Sequence, residues 1–418
     1  MLWRLRTGAG AVVAAALVAA VAAPAAWGAI FTDIVGLPAQ RAIERLAARG
    51  IFRIPPDGRF HPGGTVSRVE FAVLISRALG LSGQGVPLPA FADAGEIPPD
   101  ARAAVAAVTN LGTISPPRVE VRKGAVVYTF TTDKTLYGPA ESIELKFTIT
   151  NTGRENVTFE YATSQLYDFI ITDARGAEVA RWSLGRAFLP LSGPVTLAGG
   201  KSFEYTTRWK QLDQNDEPVP PGRYRLTAVQ TTVRDPTALS LVLHRGVLPG
   251  FADNTFRPRA EITRADLAAV VVRLLGWGET PSRPLGVPDA AEIPEALRGE
   301  VGVAVERGLV PLRADGTFGP LRPATRAETA WALDKVMDTL QRYDFSRGTL
   351  KDIRVGVPTL MVVEDAARAQ RTYRVARAHA VYRNNAPAQL GDLRPGDQLL
   401  FLKIGDVGDV AYIEATGP

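Results

Sequence analysis

Cysteine is absent from all 418 residues, which removes disulfides, thiol nucleophiles and thiolate metal sites together. Histidine is nearly absent. The three present, His61, His244 and His379, lie far apart, and none stands in an H-x-x-x-H or H-x-x-E-H arrangement. A zinc site or a Ser-His-Asp triad therefore has no visible basis, and no cofactor is implied. Basic blocks are missing too. The formal charge of +5 falls to +3 once Arg4 and Arg6 are set aside, and no Lys/Arg-rich run argues for nucleic acid. The chain also lacks any apolar stretch after the N-terminus long enough to span a bilayer.

The N-terminus itself is a processing segment. Arg4 and Arg6 supply a positive start, residues 11–23 form an Ala/Val/Leu run, and Pro24 breaks it. Ala26 and Gly28 suit the −3 and −1 positions of a signal-peptidase site. The run of 13 residues is short of the ~20 that a spanning helix needs. Residues 1–28 are accordingly expected to be a signal peptide, and the mature chain an exported protein with no membrane span.

An internal repeat organises much of the remainder. RGIFRIPPDGRFHP (49–62), RGVLPGFADNTFRP (245–258) and RGLVPLRADGTFGP (307–320) share Gly at position two, Asp at nine, Phe at twelve and Pro at fourteen. Gly50, Gly246 and Gly308 are read as C′ residues that end a preceding helix with positive φ. Asp57-Gly58, Asp253-Asn254 and Asp315-Gly316 are turn dipeptides, and Phe60, Phe256 and Phe318 can fill the gap between two helices. Ser67, Thr263 and Thr325 stand at N-cap positions, each with an acid three residues on (Glu70, Asp266, Glu328), close to a capping box.

A second helix precedes each loop in repeats one and three, over 39–49 and 296–307, after the acidic markers Phe31-Thr-Asp33 and Val287-Pro-Asp289. The corresponding marker of repeat two is Phe91-Ala-Asp93, with a helix over 100–111. From marker Asp to the helix-opening Arg the distance is 35 residues in repeat one and 37 in repeat three, but 171 in repeat two. Repeat two is therefore interrupted between its first helix and its loop.

The F-x-D marker, the Gly/Asp/Phe/Pro loop and the T-R-A-E helix start together resemble the S-layer homology module. That resemblance implies a three-repeat, three-pronged helical spindle binding pyruvylated secondary cell-wall polysaccharide in grooves between prongs. It places Arg68, Arg264 and Arg326 in those grooves. A guanidinium fork can grip a pyruvyl carboxylate bidentately. The same arginines could equally pair with the acid two residues on, or cap neighbouring loops. Repeat one departs from the pattern as S-R-V-E, and repeat three opens V-P-D without the aromatic.

Within the interruption the period changes to two. Ile143, Leu145, Phe147 and Ile149 alternate with polar residues, as do Val157, Phe159 and Tyr161, then Phe203 and Tyr205, then Tyr224 and Leu226. Turns at 151–153, 173–176, 198–200 and 220–222 separate the runs, which predicts an antiparallel, immunoglobulin-like sandwich. Residues 164–183, LAGGKSFEYTTRW and PPGRYRL resemble the bacterial intracellular proteinase inhibitor (BsuPI-type) domain. The resemblance implies a β-sandwich and, more weakly, a protease or another envelope protein as partner. Tyr167, Trp182 and Trp209 are expected in its core, and 188–194 and 211–221 are its longest loops.

After a polar link at 342–347, strands are predicted over 359–363, 372–375, 378–382, 398–404 and 410–413. They would form a small closed barrel in which Asp392 and Asp397 cap turns. The organisation expected is multi-domain α + β. Its parts are repeat one over 30–80, repeat two over 88–115 and 244–278, repeat three over 284–340, the inserted sandwich over 116–243, and a β domain over 348–418. The function expected is non-enzymatic attachment at the cell wall or S-layer surface.

Overall fold

The computed structural model describes residues 30–418 apart from 54, 139–140, 191–192, 252, 278–280, 282–283 and 405–407. The expected signal peptide, residues 1–28, lies outside the described residues. Among them no helix is long and apolar enough to cross a membrane.

Strands dominate. Among the described residues six α-helices accompany them: α1 (Gln40–Ala48), α2 (Arg68–Leu79), α3 (Arg102–Asn110), α4 (Arg264–Leu274), α5 (Arg298–Glu306) and α6 (Arg326–Thr339). The capping residues read from sequence start three of these. Ser67, Thr263 and Thr325 accept the backbone N–H of Glu70, Asp266 and Glu328. The boxes around Thr263 and Thr325 are complete, so the shorter Asp266 suffices, whereas Glu70 is engaged elsewhere. Phe60, Phe256 and Phe318 are fully buried between the helices, each worth about 2–3 kcal/mol of hydrophobic burial.

The interruption begins and ends in paired strands. Gly112–Ser115 follows α3 directly and runs antiparallel to Thr237–Arg245, with Gly112 opposite Arg245. One sheet is ordered Leu136–Tyr137, Gly112–Ser115, Thr237–Arg245, Gly222–Gln230, Tyr167–Thr172, Glu178–Arg181. The other runs Ser202–Trp209, Ile143–Asn151, Val126–Thr132, Arg118–Lys123. Residues of both sheets share one core that includes Phe130, Phe147, Phe169, Leu226 and Leu241. Trp209 is buried there, while Tyr167 and Trp182 are only partly buried and meet at a tilt of 32° with ring centroids 4.3 Å apart.

Gly246 shows what the interruption does to local chemistry. In repeats one and three the glycine does follow a helix: Gly50 N–H donates to Ala47 O (2.8 Å) and Gly308 N–H to Val305 O (3.1 Å). Gly246 follows a strand instead, yet its N–H donates to Leu111 O (2.8 Å), just past the end of α3. The bond continues the pairing of Gly112 with Arg245 and sets Gly246 beside the end of α3.

The C-terminal part is a closed five-stranded barrel. Its order is Thr359–Glu364, Ser346–Arg354, Gln398–Lys403, Val410–Thr416, Gln370–Arg383, and the first and last strands pair to close it. Two details differ from the sequence reading. The polar link already contains the start of the strand Ser346–Arg354, whose burial does not alternate cleanly. The two short strands expected at 372–375 and 378–382 form one strand, with an irregularity in its pairing between Val375 and Ala380. Asp392 caps its turn by accepting Gln389 N–H (2.7 Å); Asp397 accepts Arg394 N–H (3.0 Å) and also pairs with Arg383 (3.0 Å). The barrel shares core with the helices through Tyr382, Leu402 and Tyr412.

Candidate functional site

The three arginines open α2, α4 and α6, and each reaches into the loop of the next repeat. Arg68 donates Nε to Phe256 O (2.7 Å) and Nη2 to Pro249 O (2.6 Å). Arg264 donates Nε to Phe318 O (2.6 Å) and Nη2 to Pro311 O (2.6 Å). Arg326 donates Nε to Phe60 O (2.9 Å). The direction is cyclic: repeat one to two, two to three, three to one.

Backbone bonds follow the same cycle. Arg68 N–H meets Ala260 O (2.8 Å), Arg264 N–H meets Arg322 O (2.9 Å), and Arg326 N–H meets Gly64 O (2.7 Å). Each guanidinium also lies over the loop phenylalanine it serves, 4.9–5.0 Å from the ring centroids of Phe256, Phe318 and Phe60.

Acids complete two of the three junctions. Arg264 pairs with Glu328 and Arg326 with Glu70, so each acid belongs to the next repeat in the cycle, not to the position two residues on. The corresponding acid for Arg68 is Asp266. Its Oδ2 accepts the N–H and hydroxyl of Thr263, and its side chain is one methylene shorter. Burial pushes the Arg68 guanidinium down to about 10, partly offset by the nearby Asp266 carboxylate.

The acidic markers have a role that the sequence reading did not assign. Asp33 accepts the N–H groups of Phe60 (2.7 Å) and His61 (2.8 Å). Asp93 accepts those of Phe256 (2.7 Å) and Arg257 (2.6 Å), and Asp289 those of Phe318 (2.9 Å) and Gly319 (2.6 Å). Burial works to raise the carboxyls of Asp33 and Asp289, but the loop amides outweigh it and hold both below the ordinary value. The similar spacing from marker to loop phenylalanine, 27 residues in repeat one and 29 in repeat three, was the available signal.

The arginines differ in what a ligand could reach. Arg68 and Arg264 are 5% and 2% exposed, with their donors turned into loop carbonyls. The Arg326 side chain is 17% exposed and lines a groove of about 280 Å³ with Phe52, Glu70, Arg77 and Asp100. Among the described residues no group of three or more His, Asp or Glu side chains is placed to hold a metal ion.

The model of the S-layer homology domain family matches residues 30–72, 235–268 and 288–330, and that of the intracellular proteinase inhibitor (BsuPI) family matches 130–234. The chain therefore carries S-layer homology domains together with a BsuPI-type domain. The three matched S-layer homology segments contain Asp33, the loop Phe256 and Asp289, and all three arginines. Cell surface glycoprotein 1 of Acetivibrio thermocellus is 38% identical over 89 residues, which is 21% of this chain and 4% of that protein. Among solved structures, the yjhA protein from Bacillus subtilis is 15% identical, covering 28% of this chain and 83% of that one at a TM-score of 0.16. FlgD from P. aeruginosa is 14% identical, covering 32% and 75% at 0.14. Both scores are too low to bear on the fold.

Proposed function

We propose that the chain is an exported, non-catalytic envelope protein that binds pyruvylated secondary cell-wall polysaccharide through three S-layer homology repeats. In this reading the repeats form a three-pronged helical spindle over 30–80, 88–115 with 244–278, and 284–340. The immunoglobulin-like, BsuPI-type sandwich (116–243) projects from the second prong, and 348–418 form the C-terminal barrel. The observation that carries the reading is the cyclic relay of Arg68, Arg264 and Arg326 across the family-matched modules. It is supported by Asp93, which clamps the second loop as Asp33 and Asp289 clamp theirs. Arg326 is the most exposed of the three and lines a groove, where a ligand carboxylate would compete with Glu70 for its guanidinium. Arg68 and Arg264 shape the grooves by fixing the loops.

Purified wall sacculi, intact and stripped of polysaccharide, test this. Binding to intact sacculi that is lost on stripping supports the reading, and equal binding to both rejects it.

A second reading, a surface-tethered protease inhibitor, has one observation in its favour. Leu189 is 76% exposed on the loop after Phe188, whereas the alternative loop is held in by Gln211, which is buried and donates to Gly138 O (3.2 Å) and Glu141 O (2.7 Å). Slowing of a serine-protease panel by the full chain, abolished by Leu189→Glu, would establish it.

A further inference from the structure

The C-terminal barrel meets the repeats at a recess of about 570 Å³, larger than the groove beside Arg326. Three parts of the chain wall it. Helix α1 contributes Arg45, the end of α6 contributes Asp338 and Gln341, and the link that follows supplies Tyr343 and Phe345. The barrel adds a row across three adjacent strands. Arg347 stands opposite Leu400, and Leu400 opposite Glu414, so the three side chains lie abreast on one face.

Two of these positions depart from the repeat. Arg45, four residues before Arg49, stands where repeat three has the buried Val303 before Arg307. Asp338, twelve residues after the arginine that opens α6, stands where repeats one and two have Gly80 and Gly276. Arg45 donates to Asp338 (3.1 Å), pairs with Asp334 (3.0 Å) and lies 4.4 Å from the Tyr343 ring centroid. Those contacts tie repeat one to repeat three and to the link.

They leave the rest of the lining uncommitted. Gln341 and Arg347 are exposed, and among the described residues no other group engages either side chain. Glu414 accepts the Tyr412 hydroxyl on one oxygen and keeps the other. Phe345 is partly buried beside Tyr343, with ring centroids 5.4 Å apart. The lining carries two guanidiniums and two carboxylates, so neither an anion nor a cation gains a net attraction from it. Amide, guanidinium and carboxylate groups together offer donors and acceptors to hydroxyls, and an aromatic ring beside them suits the C–H face of a pyranose. A recess of this size holds about two sugar rings.

We propose that this recess binds a neutral saccharide built of hexose or N-acetylhexosamine units. Its walls join repeat one, repeat three and the barrel, so a bound sugar would also hold the barrel against the repeats. The inference is independent of the wall-binding reading, since it uses none of Arg68, Arg264 and Arg326 and no ligand carboxylate.

The test is a saturation-transfer NMR titration of the full chain with cellobiose, with N,N′-diacetylchitobiose and, as the charged comparator, with cellobiouronic acid. Saturable binding of at least one neutral disaccharide is expected. Gln341→Ala and Arg347→Ala, both at exposed positions, should each weaken it about three- to tenfold. Phe345→Leu, which keeps the bulk and removes the ring, should weaken it by a similar factor. Arg118→Gln, on the outer strand of the inserted sandwich, should leave it unchanged. No saturable binding of either neutral disaccharide, tighter binding of cellobiouronic acid than of cellobiose, or wild-type affinity in both Q341A and R347A would overturn the proposal. Those two variants decide the matter if F345L does not fold.

Discussion

Asp93 and the loop it clamps are 163 residues apart in the chain, and the whole inserted sandwich lies between them. Removing that carboxylate therefore tests whether the two halves of the second repeat act as one unit. In Asp93→Ala the amides of Phe256 and Arg257, now 2.7 and 2.6 Å from carboxylate oxygens, lose their acceptors. Hydrogen bonds to a charged group contribute about 1.5–3 kcal/mol each, but Arg257 N–H is exposed and water can replace its partner. The Phe256 amide is only part-exposed and recovers less. The expected cost is about 2–4 kcal/mol.

Global unfolding of a multi-domain chain does not isolate this term, because its transitions need not be two-state. Native-state hydrogen exchange read by peptide does. Asp93→Ala should speed exchange across the loop and α4 by a factor of about 30 to 1,000, while the sandwich strand Ile143–Asn151 stays protected. Asp33→Ala and Asp289→Ala should act with similar size on the loops before α2 and α6. If Asp93→Ala leaves exchange in 246–275 unchanged while Asp33→Ala accelerates its own loop, the two halves are not coupled as argued.

Three further outcomes follow from the geometry. Asp266→Glu should stabilise the repeats by about 1 kcal/mol, because the longer side chain can keep the Thr263 cap and reach Arg68; a fall in the urea midpoint would refute this. Gly246→Ala should cost more than Gly50→Ala: both have positive φ, but a Cβ on Gly246 would meet Thr109 O at 2.8 Å and Pro221 Cβ at 2.9 Å, whereas on Gly50 it meets nothing. Strain alone is about 1–2 kcal/mol and crowding adds about 1–3, so matching thermal unfolding of the two variants would count against the packing described. Glu44 is buried and accepts the Tyr382 hydroxyl, and burial raises its carboxyl above the ordinary value. Ionising such a group costs stability, so Glu44→Gln should match wild type near about pH 4 and exceed it increasingly as pH rises through the raised value. Thermal unfolding of both proteins at about pH 4 and 7.5 checks the sign.

Much of this was legible because it is local. Caps at Ser67, Thr263 and Thr325, the Asp turns and the buried loop phenylalanines depend on residues within four positions of one another, and periodicity reports them directly. The alternation from Ile143 to Ile149 likewise names the buried face of its strand. What stayed hidden is relational. That Arg264 meets Glu328 and not the acid two residues after it depends on how three copies close on one another, which no single repeat encodes. The strand Ser346–Arg354 was missed because its burial pattern, with few fully buried positions, leaves no clear period. The role of the marker aspartates lay between. Their spacing was visible, but an exposed-looking Asp carries no mark of the two amides it will accept.

The insertion is tolerated where it is because both kinds of relation survive it. The loop after α3 could open to admit the sandwich only if the chain returned to the same point. The antiparallel pairing of Gly112 with Arg245 brings it back. From there Gly246 N–H reaches Leu111 O, and Asp93 grips the loop as if the intervening residues were absent. The closing entropy of a long connection grows only as the logarithm of its length, and here a folded sandwich whose ends already lie together bears most of it. The second repeat therefore keeps its clamp and its place in the arginine cycle. What the interruption adds is a set of strand-end side chains, Arg223, His244 and Arg245, that line a recess with Arg273 of α4 and Glu300 of α5.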